Sequence, residues 1–593
     1  MVKKKILEDL KKALENLGYP ITDIVLSISK NPAFGDYTTN VALQLAKQKS
    51  DDNQQSPEEI ANQIVKKMLS FDFAQDNFSE IKVAGGGFIN FFLQPNTLLT
   101  SLHQVCDYSS LVNPEMEVDD PSTSSGQGKK ILIEYASFNA LKPVHVGHMR
   151  NITLGESITR LLETQGNNIF RVTYTSDIGL PSAKVIWALI NSPKEFKKAK
   201  DKSLIEKTEF LGQMYVKGNS VYEADEKARN EIKEINTKIY ERDKKLVKIW
   251  QEALSWTFEY FKFIYDLMGT KFDKEFLESE VEGPGKKLVL EHLGDVFFES
   301  DGAIIFKGGD YGLHNRVFIS SAGNPTYEAK DMALAEVQYN SFPFDQAIHV
   351  VANDQDDYFK VIFKALEQLN PSLAAKEMHL SYGYVLLPSG KMSSRRGNVV
   401  TLDEIYDQIK EKVEEIVKKS ENLKKEEGEE VTKLVSMGAL KFSILKYAPN
   451  TDIIFDLEKS VSLQGDSGPY IQYTYARAKS VLRHAQYDYD VELPHSDSHP
   501  KNISRELEKE ERLILQKIEH FQSIVEDAAS SMHPNVVATY LLEMSSLFNL
   551  FYQKYPIIKA EEKSQVRLAL TCCVAVILKQ GLNLLGIEVP ERM

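Results

Sequence analysis

Two short clusters of residues carry the chemistry that can be read from this sequence. The first is Lys142-Pro143-Val144-His145-Val146-Gly147-His148-Met149-Arg150, and the second, roughly 240 residues on, is Gly390-Lys391-Met392-Ser393-Ser394-Arg395-Arg396-Gly397. In the first, two histidines stand three apart, so on the opening turn of a helix both rings face one way and can donate hydrogen bonds to a phosphate whose charge grows in a transition state. Gly147 lets a nucleotide approach the backbone closely, and a helix N-terminus adds free N–H groups and the positive end of its dipole. Alone, His-x-Gly-His equally fits two zinc ligands or two surface histidines, although no third His or Cys stands nearby at metal spacing. In the second cluster, Lys391 on a loop of small residues is a point charge that can close over a triphosphate and stabilise departing pyrophosphate. By itself it is also an ordinary solvated basic loop.

The elements around the clusters decide between these readings. Ile131-Leu132-Ile133 is a short continuous apolar run, as in a strand covered on both faces by helices, and Ile169–Tyr174 and Ala347–Val351 read the same way. Leu154, Ile158, Leu161 and Leu162 mark the apolar face of a helix that begins at the histidines. Long helical segments, such as Asp225–Gly269, separate the runs and predict a doubly wound parallel sheet interrupted by an insertion. Gly283-Pro284-Gly285-Lys286-Lys287 lacks the spacing and Ser/Thr of a P-loop and reads as a turn. From about Glu404 strand patterns disappear and amphipathic helices run to the C-terminus.

Before the sheet, helical Leu7–Leu17 and Val41–Ala46 and strand-like Ile81–Val83 and Phe88–Leu93 predict an α+β module. Gly85-Gly86-Gly87 between the strands is a hairpin turn or a phosphate cradle, the latter without a following helix to complete it. The predicted limits are 1–118 for this module, 119–128 for a Ser/Gly linker, 129–450 for the α/β domain and 451–593 for an all-α helical bundle.

Bulk properties set the outer bounds. A chain of 593 residues exceeds one hydrophobic core. Its 42% apolar and 26% charged residues suit a soluble globular protein, and no apolar run approaches bilayer-spanning length. Cys106, Cys572 and Cys573 support neither a disulfide framework nor a Cys-x-x-Cys zinc site, which predicts a reducing cytoplasm and no structural metal. A net charge of −14 means that any RNA must be held by local basic patches.

Taken in this order on either side of an interrupted α/β fold, the two clusters resemble the HIGH and KMSKS signatures of class I aminoacyl-tRNA synthetases. The wider sequence resembles the arginyl-tRNA synthetase family over nearly its full length. Glu134-Tyr135-Ala136-Ser137-Phe138-Asn139 is similar to the family's substrate segment, with Glu134 and Asn139 matching and Phe138 standing where a proline is usual. Tyr327-Glu328-Ala329-Lys330-Asp331 and Asn353-Asp354-Gln355 resemble the stretches whose tyrosine, aspartate and glutamine line the amino-acid pocket. The resemblance implies a Rossmann-like catalytic domain. It assigns His145, His148 and Lys391 to catalysis; ATP falls to these three with Gly147, Met392, Ser393 and Ser394, and arginine to Glu134, Asn139, Tyr327, Asp331 and Gln355. Carboxylates satisfy the five-donor fork of a guanidinium, and a tyrosine ring covers its flat face.

Phe34–Asn40 with Gly85–Leu93 resembles the family's additional domain, which contacts the outer corner of the tRNA. Gly465–Tyr473 and the extreme C-terminus resemble its anticodon-binding domain. There Tyr473, Arg477, Phe551, Tyr552 and Met593 are the implied tRNA contacts, rings for unpaired bases and cations for phosphates. The same tyrosine stripe would also serve as helix-packing core. The implied substrates are L-arginine, ATP as its Mg2+ complex, and tRNA(Arg), handled by a cytoplasmic monomer with neither DNA nor membrane as partner. Cysteinyl and many methionyl enzymes need zinc-binding cysteines that this chain lacks, and a class I lysine enzyme should lack the N-terminal module. A non-catalytic RNA-binding relative would show degraded signatures, whereas both histidines, Gly147, Lys391 and the two serines are intact.

Overall fold

The computed structural model describes residues 2–20, 24–29, 31–48, 55–107, 128–386, 400–419, 424–487 and 507–593. Lys391, Met392, Ser393 and Ser394 lie outside these, as does the predicted linker up to its last residue, Gly128.

Among the described residues, five parallel strands form the central sheet in the order Glu377–Tyr382, Gln346–Ala352, Lys130–Glu134, Asn168–Thr175, Lys274–Leu277. The first strand in sequence is therefore central, and the winding reverses between it and Gln346–Ala352. That is a topological switch point, where loops leaving the carboxyl ends of neighbouring strands part and open a crevice. The three apolar runs are the three inner strands. The two outer strands, Lys-Glu-Phe-Leu and Glu-Met-His-Leu-Ser-Tyr, are too polar to announce themselves.

Two insertions depart from the simple alternation. The predicted helical stretch Asp225–Gly269 is two helices, Glu226–Tyr240 and Lys244–Leu267, because Arg242 adopts a left-handed φ of 59° and Asp243 caps the second helix through the N–H groups of Lys245 and Leu246. Phe297–Ser300, Ala303–Phe306 and Arg316–Ile319 form a small antiparallel sheet. The expected turn at Gly283–Lys287 is instead the middle of the helix Glu278–Glu291, with Pro284 inside it. The reason is packing: a Cβ on Gly285 would lie 2.2 Å from the carbonyl oxygen of Ala329, so the glycine permits backbone contact with the helix Tyr327–Ser341.

The N-terminal module is a four-stranded antiparallel sheet backed by helices. Gly85, Gly86 and Gly87 turn its hairpin with φ of 54°, 72° and 127°, and the strand Phe88–Leu93 follows directly, so the phosphate-cradle alternative has no helix to complete it. The module docks on the C-terminal bundle through buried Asp36, which accepts from Leu93 N–H at 2.6 Å and faces Gln516 and Arg512.

The bundle comprises Lys425–Leu445, Gly468–His484, Lys509–Ser531, Pro534–Lys554 and Ser564–Leu584. It is not purely helical beyond Glu404, since Ile453–Ile454 pairs in parallel with Val385–Leu386. The segment Glu561–Leu584 has the length and mean hydropathy of a bilayer span although charged residues interrupt its apolar run, and 78% of its apolar window is buried within the bundle.

Candidate active site

His145 is the cap residue of the helix Val146–Glu163, which follows the central strand at the switch point. Its Nδ1 accepts from Gly147 N–H at 3.1 Å, while Nδ1 of His148 accepts from the N–H of His145 at 3.2 Å. The rings stack with centroids 3.8 Å apart. With both Nδ1 atoms serving as acceptors, each neutral ring carries its proton on Nε2, and two parallel N–H donors result. Burial, reinforced by Lys142, pushes His145 down to about 4. Burial, then His145 and Lys142, holds His148 well below the ordinary histidine range. Both are therefore neutral donors near pH 7, and positive charge for a phosphate must come from the helix terminus and from lysine or arginine. A Cβ at Gly147 would fall 2.9 Å from Cε1 of His145, so glycine is required for the ring's position as well as for close approach.

Phe138, the departure from the family's pattern, is buried, and its ring packs 5.0 Å from that of His148 and 5.2 Å from Phe261. The loop around it holds Ala136 and Leu141 at φ of 54° and 62°, left-handed conformations that non-glycine residues seldom adopt. Asn151, one turn beyond His148, receives the N–H of Ala136 and donates to the Val350 carbonyl at 2.6 Å, tying the strained loop to the neighbouring strand.

The described residues nearest the segment bearing Lys391 both return to this helix. Val400–Leu402 pairs with Val144–Val146: His145 and Thr401 form an antiparallel bridge, and Leu402 N–H donates to the Val144 carbonyl at 3.0 Å. On the other side, buried Arg150 donates to the carbonyls of Tyr384 at 3.1 Å, Ala448 at 3.2 Å and Pro449 at 2.7 Å. Chain entry and exit are thus both fixed beside the two histidines.

A second, acidic region gathers at the carboxyl end of the same central strand. Glu134 ends the central strand, 5% exposed, and its Oε2 accepts from Gln338 Nε2 at 2.7 Å. Asp331, on the helix Tyr327–Ser341, accepts from the Tyr358 hydroxyl at 2.6 Å. Burial raises its carboxyl to about 7, the bond from Tyr358 opposes this, and the charges of Glu134 and Glu278 add to the rise. Glu278 is matched by Lys330 in a buried pair at 2.6 Å. Asp331, among the described acids here, has a hydroxyl but no cation within bonding distance. Tyr174 lies within electrostatic reach of Asp331, Glu278 and Glu134, and its buried hydroxyl has no hydrogen-bond partner among the described residues. A buried acid with no cation at bonding distance among the described residues can pair with a cationic ligand.

The other expected residues lie on nearby elements, without a hydrogen bond to Glu134 or Asp331 among the described residues. Asn139 bridges to Ser176, Tyr327 opens its helix half-exposed with Lys330 Nζ 5.1 Å from its ring, and Gln355 lies on the short turn after the strand Gln346–Ala352. Sequence reasoning missed Arg150, Glu278, Gln338, His349 and Tyr358. Each acquires meaning only from a partner far away in the chain.

In the bundle, Tyr473, Arg477, Arg483, Tyr552, Lys559 and Met593 line a cavity of about 960 Å³. The Arg477 guanidinium sits 4.7 Å from the Tyr473 ring and 5.3 Å from that of Tyr552, an arrangement of flat faces and charge suited to unpaired bases. Phe551 is a correction: it is fully buried against Phe548 and Tyr555 and is not among the residues that line this cavity, so its ring is not available to a base.

Comparison with known proteins agrees with this layout domain by domain. Residues 2–93 match the arginyl tRNA synthetase N terminal domain, 114–457 the catalytic domain of tRNA synthetases class I (R), and 471–593 the DALR anticodon binding domain. The chain is 32% identical to an arginine–tRNA ligase of Parabacteroides distasonis, covering 91% of this chain and 92% of that protein. It is 33% identical to that of Treponema denticola, covering 91% and 90%. Among solved structures, the Thermus thermophilus arginyl-tRNA synthetase superimposes over the full length of both chains with a TM-score of 0.78 at 25% identity. From its N-terminal module through its switch-point histidines to its helical bundle, the chain belongs to the arginyl-tRNA synthetase family.

Proposed function

We propose that this protein activates L-arginine with Mg2+-bound ATP and transfers the arginyl group to the 3′-terminal adenosine of tRNA(Arg). In the first step an arginine carboxylate oxygen attacks the α-phosphorus, the bond to the β-phosphate oxygen breaks, and pyrophosphate leaves. In the second a ribose hydroxyl of the terminal adenosine attacks the carbonyl carbon of the mixed anhydride, its proton is lost, and AMP departs. The Nε2–H groups of His145 and His148 stabilise charge spreading over the phosphate oxygens, and the helix N-terminus behind Gly147 adds its dipole. Lys391, with Met392, Ser393 and Ser394, supplies the cation for the departing pyrophosphate.

Asp331, Glu134 and Gln355 hold the substrate's cationic and polar groups, Tyr327 covers it, and Asn139 fixes its backbone end. Tyr473, Arg477, Tyr552 and Met593 receive the anticodon loop. The domain limits proposed are 1–118, 129–450 and 451–593, with 119–128 as linker; the matched family segments run 2–93, 114–457 and 471–593.

The observation that supports the reading is the buried carboxyl of Asp331, with no cation at bonding distance among the described residues, near Glu134 at the end of the strand that leads to the stacked histidines. Replacing it, Asp331→Asn, is expected to raise the KM for arginine by about 100-fold while leaving that for ATP within about threefold, since a charge-assisted pair is lost. Equal KM values for arginine in variant and parent contradict the assignment.

A further inference from the structure

His349 stands in the strand Gln346–Ala352 with a buried glutamate on either side. Glu134 faces it in the register with the central strand, and Glu377 opens the strand beyond. Its Nδ1 lies 3.3 Å from Oε2 of Glu134 and its Nε2 2.7 Å from Oε2 of Glu377, with all three side chains less than a tenth exposed. A neutral imidazole has a single N–H, so a ring that faces ionised carboxylates through both nitrogens must hold two protons to satisfy both. The bond to Gln338 fixes the same Oε2 of Glu134, while Oε1 has only Ser137 at 3.3 Å and keeps accepting capacity.

We propose that His349 is a positioning residue for the amino-acid pocket: strapped between Glu134 and Glu377, its imidazolium fixes the charge and direction of the Glu134 carboxylate that receives the cationic substrate. The inference rests on the reading that Glu134 lines the arginine pocket.

The surroundings agree. Phe359 and Phe363 cover the ring at 5.7 and 6.2 Å and exclude water from the pair. Glu377 and His379 face it from the outer strand, Glu134 from the central one, and Asp331 from the helix Tyr327–Ser341; Asp354 and Asp356 lie beyond His379. Burial alone would strip the proton from His349, yet the two carboxylates hold it well above the ordinary histidine range. In return, burial that would raise Glu134 is overcome chiefly by His349, and its carboxyl stays below the usual value. The strap also separates two carboxylates that would otherwise repel across the sheet.

The test uses the full-length protein with tRNA present and measures arginine-dependent ATP–pyrophosphate exchange for Glu134→Gln, His349→Asn and the double variant. Asparagine keeps a donor near the place of Nδ1 and removes the charge. His349→Asn is expected to raise the KM for arginine at least about tenfold with the KM for ATP changed less than about twofold, and to add nothing further to Glu134→Gln. Its arginine KM should also worsen more steeply than the parent's from pH 8 to pH 6, because Glu134 without its cation takes up a proton.

If Glu134→Gln leaves the arginine KM unchanged, the pocket reading fails and this inference with it. If Glu134→Gln raises it but His349→Asn does not, or if His349→Asn has the same effect with and without Glu134, the role of His349 alone is overturned. Should His349→Asn fail to fold by thermal melting, Glu377→Gln is measured in the same cycle; a rise in arginine KM that vanishes in the Glu134→Gln background supports the strap, and no rise overturns it.

Discussion

His145 and Thr401 are paired across an antiparallel backbone bridge, although most of the α/β domain lies between them in sequence. His145 caps the helix Val146–Glu163 and Thr401 caps Leu402–Val417, so two helix starts are fixed to each other at one point of the crevice. Any change that shifts one shifts the other. The bridge thus joins the start of the histidine-bearing helix to the residues that follow 387–399 in the chain.

His148→Ala should lower the rate of adenylate formation by about 100-fold or more, the usual effect of deleting one pre-positioned donor to a developing phosphate charge, with tRNA affinity unchanged. Single-turnover pyrophosphate release checks it. Since His145 titrates at about 4 and His148 also lies well below the ordinary range, their active neutral forms persist on raising the pH, and no loss of rate between pH 6 and 8 should trace to them.

Arginine affinity should improve as pH rises through about 7. Asp331 must be ionised to pair with a guanidinium, and without ligand its carboxyl sits near 7 against an ordinary 3.8. Below that pH each arginine bound expels a proton, so the dissociation constant should worsen up to about tenfold per pH unit. Calorimetry in buffers of different ionisation enthalpy counts the proton. For the free protein the sign reverses: the folded state binds this proton more tightly than the unfolded chain, so Asp331's contribution to stability falls as pH rises from about 4 to 7.

Gly285→Val should damage arginine binding without touching the pocket. A Cβ there would meet the Ala329 carbonyl at 2.2 Å, and the helices Glu278–Glu291 and Tyr327–Ser341 must separate. The second carries both Lys330 and Asp331. The KM for arginine is expected to rise by about tenfold or more, with a melting temperature lowered by several degrees from overpacking.

Arg567→Met should destabilise the bundle by about 3–5 kcal/mol, because Glu511, fully buried, loses the guanidinium that meets it at 2.7 Å. Replacing both, Arg567→Met with Glu511→Leu, should recover most of that loss in urea denaturation.

What the sequence discloses of this fold follows from where apolar residues concentrate. Ile131–Ile133, Ile169–Tyr174 and Ala347–Val351 are inner strands, covered on both faces, and their apolar runs are continuous. Lys274–Leu277 and Glu377–Tyr382 are edge strands with a mixed pattern and escape notice. Gly283-Pro284-Gly285 has turn composition, but close packing against Ala329 favours a helix over local propensity.

The site shows the same division. His145 and His148 are legible because their partner is three residues away, and Asp331 because the family's register marks it. His349 is a lone histidine in a strand, which by itself signifies only core; its role depends on Glu134 and Glu377 arriving from two other strands. Phe551 misled in the opposite direction, an aromatic in a tyrosine-rich helix that turns inward.

The central claim is that a guanidinium-shaped acidic pocket and a phosphate site share one crevice. Charging of total tRNA, with each of the twenty amino acids offered separately together with citrulline, tests it most directly. The account predicts AMP release and acylation with arginine alone, and discrimination against the isosteric neutral citrulline by at least about 1,000-fold. Acylation with another amino acid, or with citrulline at a comparable rate, would contradict it.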